Sequence, residues 1–319
     1  MRKGSTCAAL VALGTTAVTT CLLIATAPVA QAAFPGADGL IAFDRYPHTS
    51  TPFEEIYVVK PSGGGLTRLT NRAGSRVSSV YPDWNDTGTR IAFQRGTATT
   101  NQVVIIKPNG SVVSNFGDPA CAGGIGMPSW SPNGTTLAYA CFDSDWLIKT
   151  FDTVTHVRHT IAATGFNTEP EFSPGGAEIA YTAERDGGAR YEVIVAFLNG
   201  SGDVFTDGVM AGDLTESALN PDWSPDGADI AYSCATVIPP SDQDICTVDT
   251  SAPGTGSTVI TGGNYEQFPA FSPSGNEIVY DVGPEEGDTE LKRRLVGSGS
   301  PFTITSNRVV DQQADWGPR

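Results

Sequence analysis

Asn220-Pro-Asp-Trp-Ser-Pro-Asp-Gly-Ala-Asp-Ile-Ala-Tyr232 is a hairpin written in one line of sequence. A short strand ends at Trp223, Pro225 presets φ for a tight turn, Gly227 accepts a positive φ, and the apolar run Ile230 to Tyr232 returns as a second strand. Residues 81–93 (YPDWNDTGTRIAF), 127–139 (MPSWSPNGTTLAY), 169–181 (EPEFSPGGAEIAY) and 268–280 (FPAFSPSGNEIVY) repeat it with the same internal offsets. Two half copies complete the set: Ala314-Asp315-Trp316-Gly317-Pro318 has the first strand, and Gly39-Leu40-Ile41-Ala42-Phe43 has the second. The anchors Trp84, Trp130, Phe172, Trp223, Phe271 and Trp316 lie 46, 42, 51, 48 and 45 residues apart, a period that suits one four-stranded propeller blade. The sequence therefore predicts an all-β, six-bladed β-propeller closed by pairing of its N- and C-terminal strands, which leaves no open sheet edge at the seam.

The segments between hairpins supply the outer half of each blade. Third strands are expected at Glu55–Val59, Gln102–Ile106, Asp145–Ile148, Glu192–Val195, Asp244–Val248 and Glu290–Leu295, with fourth strands such as Leu66–Thr70 and Val259–Thr261 after turns like Pro108-Asn109-Gly110. The sequons at Asn85, Asn109, Asn133 and Asn199 all fall in such turns, and turn chemistry accounts for them.

Repeats of this kind resemble the TolB-like six-bladed propellers with their Pro-Asp-Trp-Ser-Pro-Asp-Gly motifs, and the resemblance covers nearly the whole chain after residue 32. It implies the fold. Similar repeats occur in envelope scaffold proteins, in propellers attached to serine peptidases and in some polysaccharide lyases, so no single activity follows. The resemblance is to the propeller alone: TolB has a small α/β domain before its propeller, whereas here the first blade is expected to start within a few residues of a cleavage site. TolB's partners are therefore not carried over.

That cleavage site follows from the leader. Met1-Arg2-Lys3 is a positive n-region, Cys7 to Ala27 an apolar h-region, and Ala30-Gln31-Ala32 an A-x-A site, so residues 1–32 are expected to be a secretory signal peptide and 33–319 the propeller domain. Thr20 before Cys21 argues against a lipid anchor. The expected location is secreted, or outside the cytoplasm at the cell envelope, with no membrane span and a monomeric chain. Loss of Arg2 and Lys3 with the leader moves the net charge from −16 to −18, which excludes the basic footprint that nucleic acid requires.

Cys7 and Cys21 leave with the leader. Cys141 and Cys234 occupy one motif position, two residues after Tyr139 and Tyr232. Cys246 opens the strand after Cys234, and Cys121 enters the blade beside Cys141. The expected bridges are Cys121–Cys141 and Cys234–Cys246, each contributing ~3 kcal/mol in an oxidising compartment.

Catalytic signatures are sparse. The chain has no G-x-S-x-G elbow, no phosphate loop ending in Lys-Ser/Thr and no H-E-x-x-H. His156 and His159 lie three apart on an expected strand, where odd spacing sends them to opposite faces. Propeller-linked peptidases place their serine in a separate α/β domain, and no residues remain for one. No catalytic residue and no cofactor is expected. The candidate metal ligands are the paired carboxylates Asp143/Asp145 and Asp242/Asp244, read as Ca²⁺ donors, although neither pair belongs to a complete calcium loop. Asp145 and Asp244 also share a repeated acidic slot with Glu55, Glu192 and Glu290, which favours a blade-building role. The Asp directly before the anchor Trp (Asp83, Asp222, Asp315) reads likewise as a hydrogen-bonding blade residue.

Two functions compete: a non-catalytic binding or scaffold propeller engaging a protein or peptide, and an extracellular lyase or hydrolase acting in the channel. The poor catalytic inventory favours binding. Short stereotyped turns occupy one face, so the irregular second-to-third-strand loops of the other face are the expected binding loops. Their acids, among them Glu55, Asp145, Glu192, Asp244, Glu285, Glu286 and Glu290, predict a negative rim that attracts a basic partner.

Overall fold

The computed structural model describes residues 35–319 except 48–52, 72–75, 98–99, 186, 214, 237–242, 255 and 285–286. The expected leader and cleavage site, residues 1–32, lie outside them. All regular structure among the described residues is β, in six four-stranded antiparallel sheets. Five blades are contiguous, at 78–116, 125–162, 167–211, 216–260 and 265–303. The sixth, closing blade runs outward from Val310–Pro318 through Asp38–Tyr46 and Glu55–Val59 to Thr67–Arg68. Ile41 sits opposite Trp316 and Ala42 opposite Asp315, so the two half motifs meet as one hairpin's worth of strands.

The motif residues explain how blades stack. Ile230 and Tyr232 share a buried cluster with Trp223 and with Ala180, Val193 and Val195 of the preceding blade. The alternating side chains of one blade thus form the floor on which the next blade's anchor aromatic rests. All six anchors are buried.

Each residue of the Ser-Pro-x-Gly turn has a separate task. The glycine N–H closes the turn onto the serine carbonyl, at 2.8 Å for Gly134 on Ser131 and Gly227 on Ser224. The serine hydroxyl accepts the N–H five residues on, from Thr136 at 3.0 Å and Asp229 at 2.9 Å. Asn85 plays that part in the first blade, where its side-chain oxygen accepts from Arg90 N–H at 2.7 Å. The glycines hold φ near +61° to +72°, and the proline of the preceding blade's turn packs onto several of them: Pro174 onto Gly227, Pro225 onto Gly275. At Gly88 the neighbour is the chain terminus, and a Cβ there would lie 2.5 Å from the Pro318 carbonyl oxygen, against 3.6 Å from Pro174 Cγ at Gly227. Gly227→Ala is therefore expected to cost about 1 kcal/mol and Gly88→Ala about 2–4 kcal/mol, compared by urea unfolding midpoints. Equal midpoints for the two variants would show that the closing turn yields freely.

Both disulfides pair as expected. Cys121–Cys141 and Cys234–Cys246 have Cα–Cα separations of 5.4 and 5.8 Å. One local expectation differs: His156 lies in the turn before the strand Arg158–Ala162, at φ 63°, with its ring stacked on Phe151. The turn Thr153–Val157 is tied back to Asp152, whose carboxylate accepts the Val154 and Thr155 N–H groups, and it separates the strand Trp146–Asp152, which runs past the expected Asp145–Ile148, from the strand Arg158–Ala162.

Candidate functional site: an acid-lined channel

The inner strands are not regular. Each carries a bulge, and at each bulge a non-glycine residue takes the left-handed conformation: Tyr81, Met127, Glu169, Asn220, Phe268 and Gln313, with φ between 50° and 55°. Five of the six stand directly before proline, which disfavours the right-handed helical region for the preceding residue. Such conformations are strained for bulky side chains and persist only where the surroundings over-determine them. Here side chains of the preceding blade's second strand hold them. Thr182 Oγ1 accepts Asn220 N–H at 3.0 Å, Ser233 Oγ accepts Phe268 N–H at 3.2 Å, Asp281 Oδ2 accepts Gln313 N–H at 2.8 Å, and Asp44 Oδ1 accepts Tyr81 N–H at 3.3 Å.

A second tier lies toward the short-turn face. The residue directly before each of four anchors accepts the N–H of the next blade's anchor: Asp83 from Trp130 at 2.7 Å, Asp222 from Phe271 at 2.6 Å, Asp315 from Trp84 at 2.6 Å, and the Ser129 hydroxyl from Phe172 at 3.1 Å. Glu171, in the same motif position, accepts from the Ser129 hydroxyl at 3.1 Å. The Asp of Pro-Asp-Trp is thus an inter-blade latch, in keeping with the hydrogen-bonding role expected of it.

Both tiers surround a central channel of about 100 Å³. Asp83, Glu169, Glu171, Asp222 and Asp315 line it, and no Lys, Arg or His is among its described lining residues. Without counter-charges, burial dominates the titration. It pushes the Asp315 carboxyl up to about 6. It raises Asp83 and Asp222 well above the usual range, the Asp315 charge adding to the effect. Glu171 is raised by burial and then by the charges of Asp83, Asp222 and Asp315 together. Near the long-loop end, burial also raises Asp44 and Asp281, and the second oxygen of each, Asp44 Oδ2 and Asp281 Oδ1, has no hydrogen-bond partner among the described residues. Asp311 beside them is neutralised by a bidentate pair with Arg45.

The acids expected on the rim separate into two sets. Glu55 is buried and accepts from Arg68 at 2.7 Å and from the Thr70 hydroxyl, Glu192 is buried between Arg185 and Arg190, and Glu290 accepts from the Asn307 backbone and side chain. These bonds take them off the exposed rim and tie loops and outer strands to the blades. Asp143 and Asp145 remain exposed, and Asp244 is half-buried. Asp242, Glu285 and Glu286 lie outside the described residues. No group of three His, Cys, Asp or Glu side chains among the described residues is placed to hold a metal ion, so Asp143 and Asp145 are not joined by further donors of those types. The channel acids were legible in sequence only as motif positions; their convergence is a product of ring closure.

Comparison with known proteins agrees with this architecture. The chain is 30% identical over 139 residues to the TolB homologue of Chlorobium luteolum, an alignment spanning 42% of this chain and 30% of that one, so it covers under a third of the relative's length. Its fold is similar to the crystal structure of TolB from Acinetobacter baumannii, with a TM-score of 0.71 at 18% identity over 90% of this chain and 68% of that one. It is also similar, with a TM-score of 0.55 at 18% identity, to a puromycin-hydrolyzing peptidase of Mycobacterium tuberculosis, covering 86% of this chain and 47% of that one. At such identities these two likenesses speak for the fold alone. The model of the TolB beta propeller domain matches residues 82–318, nearly three quarters of the sequence, and the chain belongs to that family.

Proposed function

We propose that this protein is a non-catalytic binding propeller working outside the cytoplasm, and that it captures a basic segment of a protein or peptide partner at the channel and its long-loop face. The observation that carries this reading is the channel itself: five carboxylates converge on it without a basic side chain among the described lining residues. A cationic group entering there gains from each carboxylate that is ionised and favours ionisation of the others, and the low-dielectric walls strengthen the field. The left-handed residues at the channel wall support the reading, since backbone strain gathers where a surface is held in a set shape for a ligand. Location outside the cytoplasm is supported by the two disulfides and by the expected leader.

The test is calorimetric titration of the mature protein with deca-lysine and deca-glutamate at 50 and 500 mM NaCl. Deca-lysine is expected to bind at low salt and to weaken at least about tenfold at high salt, with no binding of deca-glutamate. Glu171→Gln with Asp222→Asn keeps acceptors at both positions and removes charge from the channel, and should weaken deca-lysine about tenfold. Absence of deca-lysine binding, or indifference to the double substitution, would overturn the proposal.

A further inference from the structure

Away from the channel, on the long-loop face of the second blade, three aromatic rings meet. Phe142 ends one strand, Trp146 opens the next, and Phe166 lies in the connection to the third blade. The Trp146 ring centroid is 4.8 Å from that of Phe142 at 61° and 5.8 Å from that of Phe166 at 44°. Phe142 packs against the edge of the hydrophobic core, but Trp146 and Phe166 belong to no core cluster of the described residues, and Phe166 is 44% exposed. Hydrogen bonds pin the segment: Trp146 N–H donates to the Gly165 carbonyl at 2.9 Å, and the buried Asn167 side-chain amide donates to the Trp146 carbonyl at 3.0 Å and to the Thr164 carbonyl at 2.8 Å. The turn between Phe142 and Trp146 carries Asp143 and Asp145, both exposed and neither in an ion pair among the described residues.

A partly exposed indole on a segment pinned by hydrogen bonds, with two carboxylates outside any ion pair of the described residues in the adjoining turn, has a defined chemical preference. A guanidinium lies flat on an aromatic face while its N–H fork reaches a carboxylate, which an ammonium does less well. Neutral aliphatic partners would leave both carboxylates unused, and anionic ones are repelled by a chain of net charge −16. We infer that the Phe142–Trp146–Phe166 shelf, with Asp143 and Asp145, is a docking site for an arginine side chain of the partner's basic segment. This inference rests on the basic-partner reading above and adds the residue type and the place that anchors it.

The tryptophans make the test specific. Trp84, Trp130, Trp223 and Trp316 are at most 3% exposed, whereas Trp146 is half-buried, so a ligand on the shelf reports through one indole. The mature protein is titrated with acetyl-(Gly-Arg)5-amide, with its citrulline analogue as the uncharged control, while tryptophan emission and heat are recorded in parallel. The expected result is a saturable emission change with the arginine peptide and none with citrulline, loss of that change in Trp146→Phe, and about fivefold weaker binding in Asp143→Asn with Asp145→Asn, a loss of about 1 kcal/mol. Heat without an emission change, at an affinity unaffected by the Asp143/Asp145 substitutions, would overturn the shelf and leave the channel reading intact. An emission change that survives Glu171→Gln with Asp222→Asn unaltered, when deca-lysine also fails to bind, would overturn the channel reading and keep the shelf. Silence in both signals with this peptide overturns the shelf, and silence with deca-lysine as well overturns both.

Discussion

Removal of Gln312–Arg319 is expected to lower the melting temperature by more than about 10 °C. The deletion removes most of the inner strand Val310–Pro318, with it the buried Trp316 and the Asp315 latch onto Trp84 N–H, and exposes the edge of Asp38–Tyr46. Loss of a buried Trp alone costs about 3–5 kcal/mol, and a domain of this size loses roughly 2–4 °C per kcal/mol. The unpaired edge also offers a template for association, so the truncated protein should elute as a mixture of sizes in gel filtration. A truncated chain that melts like the full one and stays monodisperse would show that ring closure is not cooperative with the rest of the fold.

The second large effect is in pH dependence. Asp83, Asp222 and Asp315 have folded-state pKa values raised above their unfolded ones, with Asp315 at about 6. A group of this kind contributes stability that is fully present below its unfolded pKa and is lost as pH rises through its folded pKa. Stability should therefore fall as pH rises from the ordinary Asp range of about 4 through about 6, where Asp315 titrates, and onward as Asp83 and Asp222 ionise, the reverse of the trend for a protein whose carboxylates are mainly in salt bridges. At the acid end Asp226, held below its ordinary range by the Ser224 hydroxyl and the Ala228 N–H, contributes the opposite slope, so the optimum lies in the ordinary carboxylate range, about pH 4. Asp83→Asn, Asp222→Asn and Asp315→Asn together keep an oxygen for each anchor N–H and remove the mutual repulsion. The triple variant is expected to gain on the order of 2 kcal/mol at pH 8 and to lose most of the pH dependence, read from urea unfolding between pH 5 and 8. Asp222→Ala, which leaves Phe271 N–H without its acceptor, should instead cost about 1–3 kcal/mol at every pH. A triple variant less stable than the parent at pH 8 would show that the ring is stabilised by its charge.

The channel and the rim show how different kinds of site leave different traces in sequence. Asp83, Asp222 and Asp315 were marked by their place directly before the anchor aromatic, and Asp222 and Asp315 are 93 residues apart in a chain that returns to the same axis once per blade. A repeat gives the position of each side chain within its own blade but not which positions of different blades face one axis. Glu55, Glu192 and Glu290 illustrate the opposite difficulty: acids in loop-adjacent slots look like rim charges until Arg68, Arg185 and Asn307 are seen to meet them. Those partners come from an outer strand, the end of a second strand and a connecting loop, whose spacing is irregular.

What the sequence determined by itself is everything that depends on local chemistry repeated at a fixed period: the hairpins, the Ser-Pro-x-Gly turns, the six blades, the seam joining Gly39–Phe43 to Ala314–Pro318, and both disulfides. Period-two alternation and turn residues act over a few residues, and six copies of one pattern overrule any single ambiguous one. Only the tertiary structure decided which acids became latches, which stayed exposed, and that Phe142, Trp146 and Phe166 form one shelf. The latches depend on groups from separate blades that closure of the ring brings within a few ångströms, whereas the shelf and the paired acids depend on loops and strands of one blade folding back on one another.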